Sequence, residues 1–175
     1  MPVSSGDIKI ALLSKYRFKM QQVAADEVKY VLGITDMSAW KNGILTEIEI
    51  KISKSDLVNG EKKKKSKHKN YLAPASAPTR CIIPNYFWVC VPSSLVEDAL
   101  LWVKTVNPKY GVLEYKDNFD KTQPHKYGEL INIKKRASKL HNTLSPNGWK
   151  KIAYRASSAN IGNKIKLRAR VPQVL

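Results

Sequence analysis

The stretch Tyr30-Val-Leu-Gly-Ile-Thr-Asp36-Met-Ser-Ala-Trp-Lys-Asn42-Gly43-Ile-Leu-Thr-Glu47-Ile-Glu49-Ile-Lys51-Ile-Ser53 decides the fold. Asn-Gly between two strand-like runs signals a two-residue type I′ hairpin turn, because both turn positions need positive φ. With Asn42 and Gly43 as the loop, Lys41 faces Ile44, and the numbers of every opposed pair sum to 85. Asp36 then lies opposite Glu49. Side chains opposed on one face of a hairpin have Cβ atoms roughly 5 Å apart, so two carboxylates placed there repel. A divalent cation held between them removes the conflict. Lys51, two residues beyond Glu49, projects from the same face. Two carboxylates and an ammonium converging on one point suit metal-assisted hydrolysis of a phosphodiester.

A second reading of the same strand stays open. Ile44, Ile48, Ile50 and Ile52 alternate with Leu45, Glu47, Glu49, Lys51 and Ser53, as they would in a half-exposed antiparallel strand with a solvated polar face. That reading gives no reason for Asp36 to oppose Glu49. The pairing depends on the turn, since a three-residue loop shifts the register by one and dissolves it.

The chain has 175 residues, enough for one domain with an appendage, and 43% hydrophobic residues, ordinary for a globular protein. No apolar run approaches the ~20 residues of a membrane span, and Met-Pro-Val-Ser-Ser-Gly-Asp at the start does not read as a signal peptide. Cys81 and Cys90 read as reduced thiols in a cytoplasmic protein, and with His68, His125 and His141 they form no zinc spacing. The formal net charge is +17. Such an excess implies a polyanionic partner, with nucleic acid ahead of an anionic membrane surface. Six lysines fall in residues 62–69, and residues 126–175 hold twelve Lys or Arg against one acid, Glu129. A solvated lysine face is the plainer account of the first cluster.

Periodicity predicts a helix over residues 5–23 and hairpin strands at 28–38 and 44–53. It then predicts a lysine-bearing helix from Asp56 to Tyr71, capped by Ser53 or Ser55. Residues 73–79 read as a loop, Tyr86–Val91 as a buried strand, and Ser93–Lys104 as a capped helix with acids in its first turn. Gly111–Tyr115 is a short strand, residues 116–128 a polar loop and 129–133 a further strand. Helices follow at about 135–143 and 147–158. A helix between the hairpin and the Tyr86 strand permits a parallel crossover, so the expected fold is α/β, a mixed sheet flanked by helices. The expected organisation is a core over 1–125 and a basic helical extension over 126–175, packed on the core or tailing it.

Asp36, twelve intervening residues and Glu49-Ile50-Lys51 resemble the Asp…Glu-x-Lys signature of the restriction-endonuclease-like nucleases, the PD-(D/E)XK superfamily. The element order resembles that superfamily's αβββαβ core. Residues 8–116 are similar to the MmcB-like DNA-repair proteins within it. The likeness is carried by Glu49-Ile-Lys51-Ile-Ser-Lys-Ser-Asp56, the lysine helix with His68, Phe87-Trp88-Val-Cys-Val-Pro92, and Gly111-Val-Leu113. The resemblance implies a DNA-cleaving enzyme in which Asp36, Glu49 and the carbonyl of Ile50 ligate Mg2+ or Mn2+. Lys51 would orient or deprotonate the attacking water. Many relatives carry another acid on the first helix, where this chain offers only Asp7. The implied DNA contacts are Lys62, Lys63, Lys64, Lys65, Lys67 and His68 on the second helix. In the basic extension they are Lys150, Lys151, Arg155, Lys164, Lys166, Arg168 and Arg170. The partner is expected to be nucleic acid, DNA first, with no membrane and with homodimerisation left open. Two alternatives remain: a non-catalytic DNA-binding module with a nuclease-like fold, and an RNA-binding basic protein.

Overall fold

A computed structural model describes residues 3–60, 64–76, 81–116 and 124–170, the last eleven of these by backbone alone. Its centre is one six-stranded mixed sheet in the sequential order β1 to β6. The strands are β1 (Val23–Tyr30), β2 (Gly33–Lys41), β3 (Ile44–Ile50), β4 (Tyr86–Pro92), β5 (Gly111–Tyr115) and β6 (Ile131–Lys135). β1 to β3 form an antiparallel meander, β3–β4 and β4–β5 are parallel, and β6 returns antiparallel to β5. The two parallel joins are crossovers through α2 (Lys65–Leu72) and α3 (Val96–Val106), as parallel pairing requires. The fold is therefore α/β with a mixed open sheet, as expected.

The hairpin turn fixes the register as its chemistry demands. Asn42 and Gly43 both have positive φ, 51° and 81°. Lys41 pairs with Ile44, and the ladder runs to Met37–Ile48. Upstream the structure departs from the sequence reading. α1 (Ser5–Leu13) ends in a π-helical turn at Ser14–Lys19, and the next residues enter β1 instead of extending a helix to 23. The strand expected at 28–38 is two strands joined at Tyr30–Gly33. The lysine helix is also shorter than expected: Asp56–Gly60 is a separate π-helical turn, started by Ser53 Oγ accepting from Asp56 N–H (3.1 Å), and α2 begins at Lys65.

α1 covers one face of the sheet, where Ile8, Leu12 and Tyr16 pack on Met37, Ile48, Ile50, Cys90 and Leu113. α2 and α3 cover the other, where Tyr71, Val96, Ala99 and Val103 meet Phe87, Val89, Val91 and Tyr110. α4 (Trp149–Arg170) closes the same side over β1 and β2 through Ile152, which is packed with Ala25, Val28 and Leu45. The sheet thus continues past residue 125 into β6. The helix expected at 135–143 is absent: beyond β6 the chain is extended, tied down by Ser138 N–H to Lys109 O and Leu140 N–H to Asn85 O. Cys81 and Cys90 are free thiols. Among the described residues no helix is long and apolar enough to cross a membrane.

Candidate functional site

Asp36 sits where the meander comes apart. Its ladder with β1 passes from Asp26–Met37 to Val28–Thr35 without pairing Glu27 and Asp36, and Glu27 takes a left-handed φ of 51°. The β2–β3 ladder stops one step short of Asp36 and Glu49. In place of a ladder bond, the Ile50 N–H donates to Asp36 Oδ2 at 2.7 Å. Strain of this kind, held by surrounding structure, collects at functional sites.

The break opens a cleft of about 250 Å³ whose walls include Asp36, Glu49, Ile50, Lys51, Asp56 and Lys64, with Ser5 and Lys9 of α1 on its near side. The hairpin register thus brings Asp36, Glu49 and Lys51 into one cavity. Burial first, and then the charge of Glu49, push the Asp36 carboxyl up to about 6. Lys51 is buried, 3.8 Å from Glu49 Oε2 and 3.6 Å from Asp56 Oδ1. Asp7, the only acid on α1, closes a capping box with Ser4 at the helix start and does not line the cleft.

Glu49 is 1% exposed and carries its own counter-charges. Lys64 Nζ donates to its Oε2 at 2.6 Å and Lys67 Nζ to its Oε1 at 2.5 Å. Lys67 also ion-pairs with Glu47, whose other oxygen accepts from Tyr71 Oη at 2.7 Å. Burial would lower the Lys67 pKa, but the two glutamates outweigh it and hold the ammonium well above its ordinary value. Burial raises the Glu47 carboxyl, against the attraction of Lys67. From half-buried Lys64 at the cleft wall, then, a chain of alternating charge runs inward through the buried Glu49, Lys67 and Glu47.

No family model matches this chain, and no curated protein or solved structure does either.

The structure divides the lysine tract. Lys62 and Lys63 lie outside the described residues. Lys64 and Lys67 point inward onto Glu49, and Lys65 is exposed. Lys67 and His68, expected on a DNA-facing surface, are buried; His68 Nδ1 meets Tyr110 Oη at 2.8 Å within an aromatic group. Both are thus placed away from phosphate contact. In the C-terminal extension Lys150 and Lys151 are exposed, while Arg155 is engaged with Glu27 at 2.9 Å and with the Asp26 carbonyl. Lys164, Lys166, Arg168 and Arg170 fall on the α4 backbone beyond the described side chains.

The sequence reading missed the roles of Glu47, Lys64, Lys67 and Tyr71. The signal was present: Lys64, Lys67, His68 and Tyr71 follow the i, i+3, i+4, i+7 stripe of one helix face. Here that inward stripe is spelled partly in charged residues, and Glu47 and Glu49 share a strand face to receive it.

Asp36 and Glu49 offer hard oxygen donors suited to Mg2+ or Mn2+, and the raised Asp36 carboxyl marks a place where added positive charge is favourable. Among the described residues, no group of three or more His, Cys, Asp or Glu is placed to hold a metal. The fit is therefore two carboxylates, with backbone and water completing any coordination and Lys64 displaced from Glu49.

Proposed function

We propose that this chain is a Mg2+- or Mn2+-dependent deoxyribonuclease with a restriction-endonuclease-like core, acting at the Asp36–Glu49–Lys51 cleft. The observation that carries this reading is the cleft: a break in the meander brings two carboxylates and a buried lysine together, as the Asp…Glu-x-Lys signature requires. The helix–three strands–helix–strand order through β4 supports the same core. Asp36, Glu49 and the Ile50 carbonyl would hold the metal, which lowers the pKa of bound water and stabilises charge on the phosphate. Asp56 holds Lys51 at 3.6 Å, aiming its ammonium into the cleft to orient the attacking water or to receive its proton. Lys64, once it leaves Glu49, is positioned to pair with a phosphate oxygen. DNA repair or the processing of mobile-element DNA is the setting this reading favours.

One observation favours a second reading, a DNA-binding module without turnover. Glu49 is already neutralised by Lys64 and Lys67, so the carboxylate pair does not need a metal to be tolerated. The deciding experiment incubates plasmid, linear, branched and single-stranded DNA, and RNA, with the protein and Mg2+ or Mn2+. Cleavage by wild type, lost in Lys51→Ala with DNA affinity kept, supports the nuclease. DNA binding without cleavage under either metal supports the module. Preferential cleavage or binding of RNA makes RNA the substrate class.

A further inference from the structure

α3 carries a second stripe beside the one buried on the sheet, packed on the core in part through Trp102 and Val106 and open at Leu101. Val96, Ala99 and Val103 are buried against β4 and β5. The other face presents Asp98, Leu101, Trp102, Thr105 and Val106, a full i, i+3, i+4, i+7, i+8 stripe, to a cavity of about 590 Å³. The facing helix α2 supplies a matching stripe, Lys65, His68, Lys69 and Leu72. A stripe of this width on a helix ordinarily faces a core. Here Leu101 is 66% exposed and Leu72 57% exposed.

The floor of the trough is aromatic. His68 is bound to Tyr110 Oη, and its ring packs edge-on against Trp102 with centroids 5.6 Å apart. The rim is cationic: Lys65 and Lys69 are exposed on α2, and Lys54 stands across from them. Asp98, the one acid lining the cavity, is neutralised by Lys54 at 2.7 Å.

We propose that this trough docks an acidic amphipathic helix of a partner protein. Stripes of α2 and α3 lining one open groove fit a third helix, laid in by ridges-into-grooves packing with apolar anchors at i, i+4 and i+7. α3 has eleven residues, about 16 Å of length, enough for three turns of the incoming helix. The lysine rim selects carboxylates beside the anchors. A small amphipathic anion is a poorer fit, because it would leave the two exposed leucines at the lips uncovered. A second copy is also a poorer fit, since a chain of net charge +17 meets its own lysine rim with repulsion. The inference does not rest on the cleft chemistry, for the trough and the Asp36 cleft share no lining residue.

The test pans a random peptide library against the full-length chain and measures fluorescence anisotropy of the enriched peptides. Leu101→Asp and the double variant Lys65→Glu, Lys69→Glu alter exposed side chains and are confirmed folded by an unchanged melting temperature. Enrichment of helical sequences combining Asp or Glu with spaced Leu, Ile or Phe, with affinity reduced at least about tenfold by each variant, supports the proposal. No such enrichment, peptides that bind both variants as well as wild type, or concentration-dependent self-association abolished by Leu101→Asp would overturn it.

Discussion

Asp36→Asn should stabilise the metal-free protein at neutral pH, although it removes a site carboxylate. Burial, the largest cause, pushes the folded-state carboxyl up to about 6 from the ordinary aspartate value of about 3.9. Because the folded pKa is raised, folding takes up a proton between those values. Wild-type stability is therefore fully present below about pH 4 and declines as pH rises through 6. That rise of the folded pKa makes the ionised carboxylate cost about 3 kcal/mol at pH 8. Asparagine keeps an oxygen for the Ile50 N–H, and the charge assistance of that bond is already included in the position of the carboxyl. The gain is therefore up to about 3 kcal/mol, and at about 2–4 °C per kcal/mol for a chain of this size it raises the melting temperature by up to roughly 6–12 °C. The assay is thermal unfolding of both proteins in chelator at pH 8 and at pH 4. The increment should be present at pH 8 and vanish at pH 4. A variant that melts lower at pH 8, or an increment equal at both pH values, would refute the charge as the source of the penalty. Added Mg2+ or Mn2+ should then raise the melting temperature of wild type and leave Asp36→Asn largely unresponsive.

Three further outcomes follow from particular contacts. Lys67→Met strands Glu47 and Glu49 with less counter-charge and should cost about 3–5 kcal/mol in urea unfolding; a loss under about 1 kcal/mol would mean that the buried ion chain is not continuous. Gly111→Ala places a Cβ 2.2 Å from the Trp88 ring, beyond what a side-chain shift absorbs, and should lower stability by about 1–3 kcal/mol, with part recovered when Trp88→Leu is added. Truncation after Asn147 removes Ile152 from its packing with Ala25, Val28 and Leu45 and should destabilise the fold. Truncation after Ala159 should leave the fold intact and, on the DNA-binding reading, reduce the slope of log affinity against log salt by up to about 3–4, because four cations beyond it are lost.

The parts of this fold legible in the sequence are those fixed by local chemistry. Asn42-Gly43 dictates its own turn, and the turn dictates every pair down to Met37–Ile48, so Asp36, Glu49 and Lys51 could be placed together before any coordinates. β1 was not legible, because Val23-Ala-Ala-Asp carries no alternation and follows a run at helical spacing; it is a strand through its pairing with β2. The segment after β6 misled for the same reason. Its polar residues permit a helix, but Lys135 Nζ on the carbonyls of Pro108 and Tyr110, and Leu140 N–H on Asn85, hold it extended. The lysine tract shows the limit most clearly. A count of charges cannot distinguish Lys67, clamped between two buried glutamates, from Lys65, two residues earlier on the opposite side of the helix and in solvent. Net charge therefore overstates the positive potential available at the cleft, where Lys64 and Lys67 are spent on Glu49. Exposed lysines and arginines lie instead over much of the described surface, Lys65 and Lys69 above the trough and Lys150 on α4 among them. On the DNA-binding reading, the cleft itself supplies a cationic contact only when Lys64 exchanges Glu49 for a phosphate.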